Sequence, residues 1–322
     1  MILHVSNGHS ATGLIERSGL PGRTMVWCDP LHEGPVPGGI TDAELLRIRA
    51  RFLAASEDAA DTVASDLARW RASIDDTDAY DELVLWFEHD LFDQLNLIQL
   101  LAHLGQRESW PKPVTMICID RHPGHQDFKG LGELSPSEIA ALFPSRLPVT
   151  AAQIGVAQRA WLAFRAPEPS AVEAVLHTDT TALPFLADAL RRHLEEFPSQ
   201  RDGLSLSERR LMEQAADGPA PLGEMLPRMH DGERWLYVTD TMLMDRVRAL
   251  TDASPALLAV AGAFDRQRPS GTIELTAAGR DVLAGRQDRV RLCGLDRWLG
   301  GVHLTGRGRD WRSTATGVRL QQ

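Results

Sequence analysis

Apolar residues cluster along the first 150 positions in short runs, each ending abruptly in polar side chains. Ile2 to Ser6, Thr24 to Cys28, Leu83 to Phe87 and Val114 to Ile119 are four such runs. Their length and unbroken apolar character fit strands buried on both faces of a parallel sheet. Between them the pattern changes to the helical period. Thr41 and Glu44 form a capping box ahead of a helix through about Ala55, and a second helical segment covers Ala59 to Ile74. Leu97, Leu100, Leu101 and Leu104 fall at core spacing on a helix over Phe92 to Leu104. Ser135-Pro136-Ser137-Glu138 supplies a cap, an N1 proline and a capping-box glutamate for another. Strands alternating with helices predict an open, mostly parallel, Rossmann-like three-layer α/β sheet over residues 1–149. The strand order is not legible.

From Thr150 the strand signal fades. Helices are predicted over Ala151 to Phe164, Ser170 to Leu176 and Leu183 to Phe197. A capping box at Ser205 to Glu208 leads into Arg209 to Ala216, followed by Pro221 to Met229 and Glu233 to Leu250. A short strand at Gly271 to Leu275 and a helix at Thr276 to Ala284 come next. The expectation is a mainly helical domain over residues 150–322. It would hold a winged-helix-like part at about 204–285 and a terminal hairpin at about 296–320, packed around Trp298 and Trp311.

The polar exits of the first three strands converge if the sheet is parallel, because ligands in such sheets collect outside the carboxyl ends of the strands. The first exit is Asn7-Gly8-His9-Ser10, where Ser10 is placed to cap a short helix over Leu14 to Arg17. A tight turn before a helix N-terminus can hold an anion, although neither G-x-G-x-x-G nor a Walker signature is present. The second exit holds Asp29, His32 and Glu33 in a loop with three prolines and three glycines between Asp29 and Gly39. The third is Glu88-His89-Asp90, with Asp93 and Gln94 in the following helical turn.

Of these, His32, Glu33, Glu88, His89 and Asp90 are the expected catalytic group, since a histidine near carboxylates performs acid/base chemistry close to neutral pH. Asn7, Gly8, His9, Ser10, Asp29, Asp93 and Gln94 are the expected substrate-binding group. A divalent metal suits the same residue types, but no H-x-x-x-H or H-x-H spacing demands one, so no metal or other cofactor is assigned. Simpler roles exist for single members: Asp29 or Asp90 as a helix cap, His32 as a turn residue, Glu88 as an ion-pair partner of Arg23 or Arg121.

Charge narrows the partners. Residues 1–150 hold 12 Lys and Arg against 22 Asp and Glu, whereas residues 151–322 balance at 22 of each. The first half is therefore a poor binder of polyanions through bulk charge. Segment 286–319, with eight Arg against three Asp, is the one stretch that favours nucleic acid. Cys28, Cys118 and Cys293 show no C-x-x-C spacing and are read as small buried hydrophobes. No apolar run nears the ~20 residues of a membrane helix, and the first residues lack a signal-peptide pattern, so a cytoplasmic protein is expected.

The chain also resembles a bacterial family catalogued as domain of unknown function 1835, with its usual C-terminal companion domain. The matching stretches are Val5 to Ser10, Asp29 to Pro35, Trp86 to Gln94, Gly130 to Leu134, Leu183 to Leu186, Arg192 to Pro198 and Trp298 to Leu304. His9 stands where that family usually has an acidic residue, and Trp311-Arg312-Ser313-Thr314 replaces its Trp-Arg-Trp-Asp. His122 and His125 fall in a loop that is usually less polar there, which ranks them below the other candidates. The resemblance implies no particular activity. The leading expectation is an enzyme that hydrolyses, or transfers a group from, a small phosphorylated or nucleotide-like molecule. The alternative is a ligand-sensing, DNA-associated regulator that uses the C-terminal helices. Self-association as a homo-oligomer is compatible with either.

Overall fold

The four apolar runs form the centre of the first structural unit in a computed structural model of the chain. Its described residues are 1–321 without 55, 236, 263–269 and 309, and the side chain of Glu57 is likewise outside the description. The expected helix end at Ala55, one position of the Glu233 to Leu250 helix and part of the 204–285 segment therefore lie outside the described residues.

The chain divides into two compact units. The first comprises Met1–Leu190 and Gly300–Val302, the second Arg191–Leu299 and His303–Gln322. The boundary anticipated at Thr150 thus falls inside the first unit. In chain order that unit holds β1 (Ile2–Ser6), α1 (His9–Arg17), β2 (Arg23–Val26), α2 (Asp42–Leu53), α3 (Glu57–Asp75), β3 (Glu82–Glu88), α4 (Leu91–Leu104) and β4 (Val114–Ile119). It continues through α5 (Pro136–Leu142), β5 (Leu147–Pro148), α6 (Ala151–Phe164) and α7 (Ser170–Leu176) to the start of α8 (Leu186–Leu194).

The fold is α/β, with a mostly parallel five-stranded sheet in the order β2-β1-β3-β4-β5. β1 pairs in parallel with both β2 and β3, and β3 with β4. β5, absent from the sequence expectation, adds antiparallel to β4 through two residue pairs, Thr115–Pro148 and Met116–Leu147. Strand order reverses at β1: β2 lies on one side of it and β3 on the other.

Alternation along β3 assigns its side chains to two faces. Val84 and Trp86 join Ile117, Ala11, Leu14 and Ile15 of α1, and Ile139 of α5, in one apolar cluster. The opposite face meets α4, whose residues are nearly all buried and which packs in turn on α6. A helix so enclosed must satisfy its polar side chains internally. Gln99 accepts the Trp27 indole N–H at 3.0 Å, and Asn96 exchanges two hydrogen bonds with the Asp29 backbone at 2.9 and 3.0 Å.

Two local expectations need correction. Helix α1 begins at His9 with Gly8 as its N-cap at φ 92°, a left-handed conformation that favours glycine, and no side chain caps it. Ser10 is consequently a first-turn residue. β2 ends at Val26, which leaves Trp27 and Cys28 beyond the strand.

The second unit continues α8 and then holds α9 (Leu206–Glu213), β6 (Ala220–Pro221), α10 (Met225–His230), α11 (Asp240–Thr251), β7 (Leu258–Ala261), β8 (Thr272–Leu275), α12 (Ala277–Leu283) and α13 (Arg289–Cys293). β9 (Leu295–Leu299), β10 (Val302–Gly306), β11 (Asp310–Thr314) and β12 (Gly317–Gln321) follow, with the first residue of β10 assigned to the first unit. The single terminal hairpin expected from sequence is two strand pairs, β9 with β10 and β11 with β12. Trp298 stacks on His303 with ring centres 4.3 Å apart, whereas Trp311 lies on the other pair. Glu196, fully buried, accepts from Arg192 at 2.8 Å, Arg297 at 3.0 Å and the Ser207 hydroxyl at 2.5 Å. Two guanidinium groups hold its carboxyl well below the usual range despite burial.

Candidate functional site

Strand order reverses at β1, and α/β sheets bind ligands outside the carboxyl ends of the strands at such a reversal, here those of β1 and β3. Asn7 leaves β1 there, and Glu88, His89 and Asp90 leave β3. Asp90 caps α4, its carboxylate accepting the Asp93 amide at 2.8 Å. That cap places Asp93 back over the strand end. One Asp93 oxygen accepts the Glu88 amide at 2.8 Å, and the other accepts the Asn7 side-chain amide at 2.6 Å. Gln94, one residue on, donates to the Glu88 carbonyl at 2.6 Å.

Glu88, Asp90 and Asp93 offer carboxylate oxygens that lie within 4.8 Å of one another, and all three residues are buried. Like charges so close and so dry cannot all ionise. Burial, then the Asp90 charge, push Glu88 up to about 8, against the pull of the Leu131 amide, which bonds its carboxylate at 2.6 Å. Burial raises Asp90 to about 6 against the amides of Asp93 and Phe92, and Asp93 rises well above its ordinary value through burial and both neighbours. At neutral pH the trio therefore holds protons and titrates as a unit. The same three groups are spaced to share a cation, which would displace those protons.

The other residues at this end of the sheet differ in exposure. His9 and Ser10 are exposed in the first turn of α1. Ser10 Oγ comes so close to Gly132 that a Cβ there would lie 2.9 Å from it. Gly130 is pressed against the Glu88 carboxylate, where a Cβ would collide. Burial pushes the Cys28 thiol up to about 12, so it is no thiolate nucleophile at neutral pH.

No protein-family model matches this chain, and no curated protein matches it.

Asn7, Glu88, Asp90, Asp93 and Gln94, all singled out from sequence, meet in one hydrogen-bonded group. Asp29 does not face it as a free carboxylate. Arg49 of α2 grips Asp29 through Nε at 3.1 Å and Nη2 at 2.6 Å, and also donates to the carbonyls of Glu33 and Pro30. Asp29 is thus the anchor that folds the 29–35 loop onto α2. Glu33 contributes its carbonyl to this anchor. His32 is buried with its ring edge-on to Phe92 at 5.3 Å, and His89 is buried edge-on to Phe185 at 6.3 Å. Phe185 and Gln94 also line a cavity of about 230 Å³ with Cys118, Ile119 and Leu147, whose lining does not include the trio. The ion pair considered for Glu88 is not formed: its carboxylate takes the Leu131 amide, and Arg121 pairs with Asp120.

Sequence reasoning missed Arg49, because an arginine within an amphipathic helix carries no local mark of a buried partner 20 residues earlier. It also undervalued Asp93 as a titrating group, although the Asp90-x-x-Asp93 spacing across a helix start predicts the cap bond that brings the two together. His122 and His125, beyond β4, face Glu138 instead of the trio.

Proposed function

We propose that this chain is an enzyme that binds a small phosphorylated or nucleotide-like molecule at the carboxyl ends of β1 and β3, and acts on it by acid/base hydrolysis or group transfer. The observation that supports the reading is the buried trio Glu88, Asp90 and Asp93 at the reversal of strand order. Glu88, raised to about 8, holds a proton at neutral pH and can give it to a leaving group, while a deprotonated partner in the trio takes one from the attacking group. The uncapped first-turn amides of α1, next to Asn7, offer a place for an anionic group. Asn7, Glu88, Asp90, Asp93 and Gln94 also belong to the stretches that resemble the family of domain of unknown function 1835. Membership of that family is part of the same proposal.

Thermal shift of the purified chain against nucleotides, sugar phosphates and inorganic phosphate, followed by turnover assays of any hit, tests it. A hit whose turnover drops at least 100-fold in Glu88→Gln is the expected result. Turnover unchanged in Glu88→Gln and in Asp90→Asn would remove the trio from the chemistry.

The regulator reading rests on one observation in the second unit. The order helix, short strand, two helices and hairpin, with β6-β8-β7 in one sheet, supports a winged-helix-like arrangement of α9 to β8. DNA binding would then fall to α11, but its exposed residues include Asp240, Thr241, Arg248 and Ala249, while Arg246 is buried. One exposed arginine on that helix is little for phosphate contacts. The enzyme reading leads.

A further inference from the structure

Beyond the end of β4 the chain makes a tight turn, His122-Pro123-Gly124-His125, closed by the His125 amide donating to the His122 carbonyl at 3.0 Å. The turn holds the two imidazoles 5.5 Å apart between ring centres, and both pack on Phe128 at 6.4 to 6.5 Å. Facing them is Glu138, the capping-box glutamate of α5. Its Oε2 accepts the Ser135 amide at 2.7 Å, which fixes the side chain and turns Oε1 toward both rings. Oε1 lies 3.2 Å from His125 Nε2 and 3.8 Å from His122 Nδ1.

We propose that His122 Nδ1, His125 Nε2 and Glu138 Oε1 form a binding site for one divalent transition-metal ion of the zinc class, with a fourth position open to solvent. Bonds of about 2.1 Å in a tetrahedron separate neighbouring ligand atoms by about 3.4 Å, and the two distances from Oε1 bracket that figure. A hydrogen-bonded His125–Glu138 pair would account for the 3.2 Å distance alone. It leaves unexplained why a second imidazole nitrogen stands 3.8 Å from the same oxygen, too far for a hydrogen bond. The Gly124 amide stands 3.4 Å from His122 Nδ1, a long contact on that nitrogen's single lone pair that a bound ion would have to displace. The ligand set of two imidazoles and one carboxylate matches zinc-type ions rather than calcium or magnesium. Partial exposure of the three side chains, between 14% and 31%, leaves room for a water in the fourth position.

The loop that this ion would clamp runs on to Gly130 and Leu131, which hold the Glu88 carboxylate. The site itself does not depend on what that carboxylate does.

The test uses the full-length chain freed of metal, titrated with Zn²⁺ by calorimetry and with Co²⁺ by visible absorption. One equivalent bound, with an intense four-coordinate Co²⁺ band, is expected for the unaltered chain and for Glu88→Gln. The double variant His122→Ala/His125→Ala, checked for folding by circular dichroism, is expected to lose stoichiometric binding, a fall in affinity of at least 100-fold. Absence of Zn²⁺ binding by the unaltered chain would overturn the proposal, and that measurement needs no variant. So would binding retained by the folded double variant, or binding lost in Glu88→Gln, which would move the ion to the trio.

Discussion

Asn7 and Asp93, 86 residues apart in sequence, are joined by an amide-to-carboxylate hydrogen bond of 2.6 Å. It ties the exit of β1 to the first turn of α4 across the reversal of strand order. A hydrogen bond between buried groups is costly to break from one side, because the partner left behind stays unsatisfied. Asn7→Ala should lower unfolding stability by about 1–3 kcal/mol. Asn7→Asp should cost more, because it adds a fourth carboxyl to a trio already short of counter-charge. Urea denaturation followed by tryptophan fluorescence distinguishes the two, and an equal or smaller effect for Asn7→Asp would contradict the assigned crowding.

Arg49 and Asp29 form a pair with both side chains almost wholly buried. Removing one partner strands a charge, whereas removing both does not. Arg49→Ala should therefore destabilise the chain by about 3–5 kcal/mol, and the double variant Arg49→Met/Asp29→Leu should recover part of that loss. A double-mutant cycle in urea measures the coupling. Additive effects would show the pair to be worth no more than its packing.

The trio sets a pH dependence whose sign is fixed. Folded Glu88, at about 8, and Asp90, at about 6, keep protons that the unfolded chain releases near pH 4. Their contribution to stability is greatest below about pH 4 and declines as pH rises, by about 1.4 kcal/mol per pH unit for each group still protonated. The decline ends near pH 6 for Asp90 and near pH 8 for Glu88. Glu88→Gln should flatten the slope between pH 6 and about 8 relative to the unaltered chain. Parallel melting curves across that range would show that Glu88 titrates normally.

Gly130 and Gly132 make a matched pair of probes. A Cβ at Gly130 would collide with the Glu88 carboxylate, which is held by a backbone amide and has little room to yield. At Gly132 it would meet the hydroxyl of exposed Ser10 at 2.9 Å, which can rotate away, and the Ser10 Cβ at 3.3 Å, which need yield only a few tenths of an ångström. Gly130→Ala should cost about 1–3 kcal/mol, and Gly132→Ala about 0.5 kcal/mol or less. Thermal denaturation of the two variants side by side decides it, and equal losses would mean that the 130–132 turn rather than Glu88 sets the cost.

Much of this was legible beforehand where the signal is local. The bounds of β1 and β4 and the full span of α6 follow the sequence expectation, since an apolar run or a capped helical period marks both ends. The three capping boxes anticipated at Thr41, Ser135 and Ser205 are present, and a fourth that was not anticipated stands at Thr150 with Gln153; each depends only on a spacing of three residues. Partners set by tertiary structure were illegible. Nothing near Asp29 announces Arg49, and nothing near Glu88 announces the Leu131 amide. The His122–His125 turn lay between these cases. Its His-x-x-His spacing was visible, but only the position of Glu138 against both rings gives it meaning.

β5 has a consequence for how the molecule behaves in a crowd. A strand of two residues that ends in proline lacks an amide hydrogen where a further strand would dock. It caps the β4 side of the sheet and presents almost no template to another chain. On the opposite flank β2 is only four residues long and opens with exposed Arg23, a charge that a docking strand would have to bury. Both flanks thus discourage strand-to-strand polymerisation, which protects a sheet whose central strands are unusually greasy.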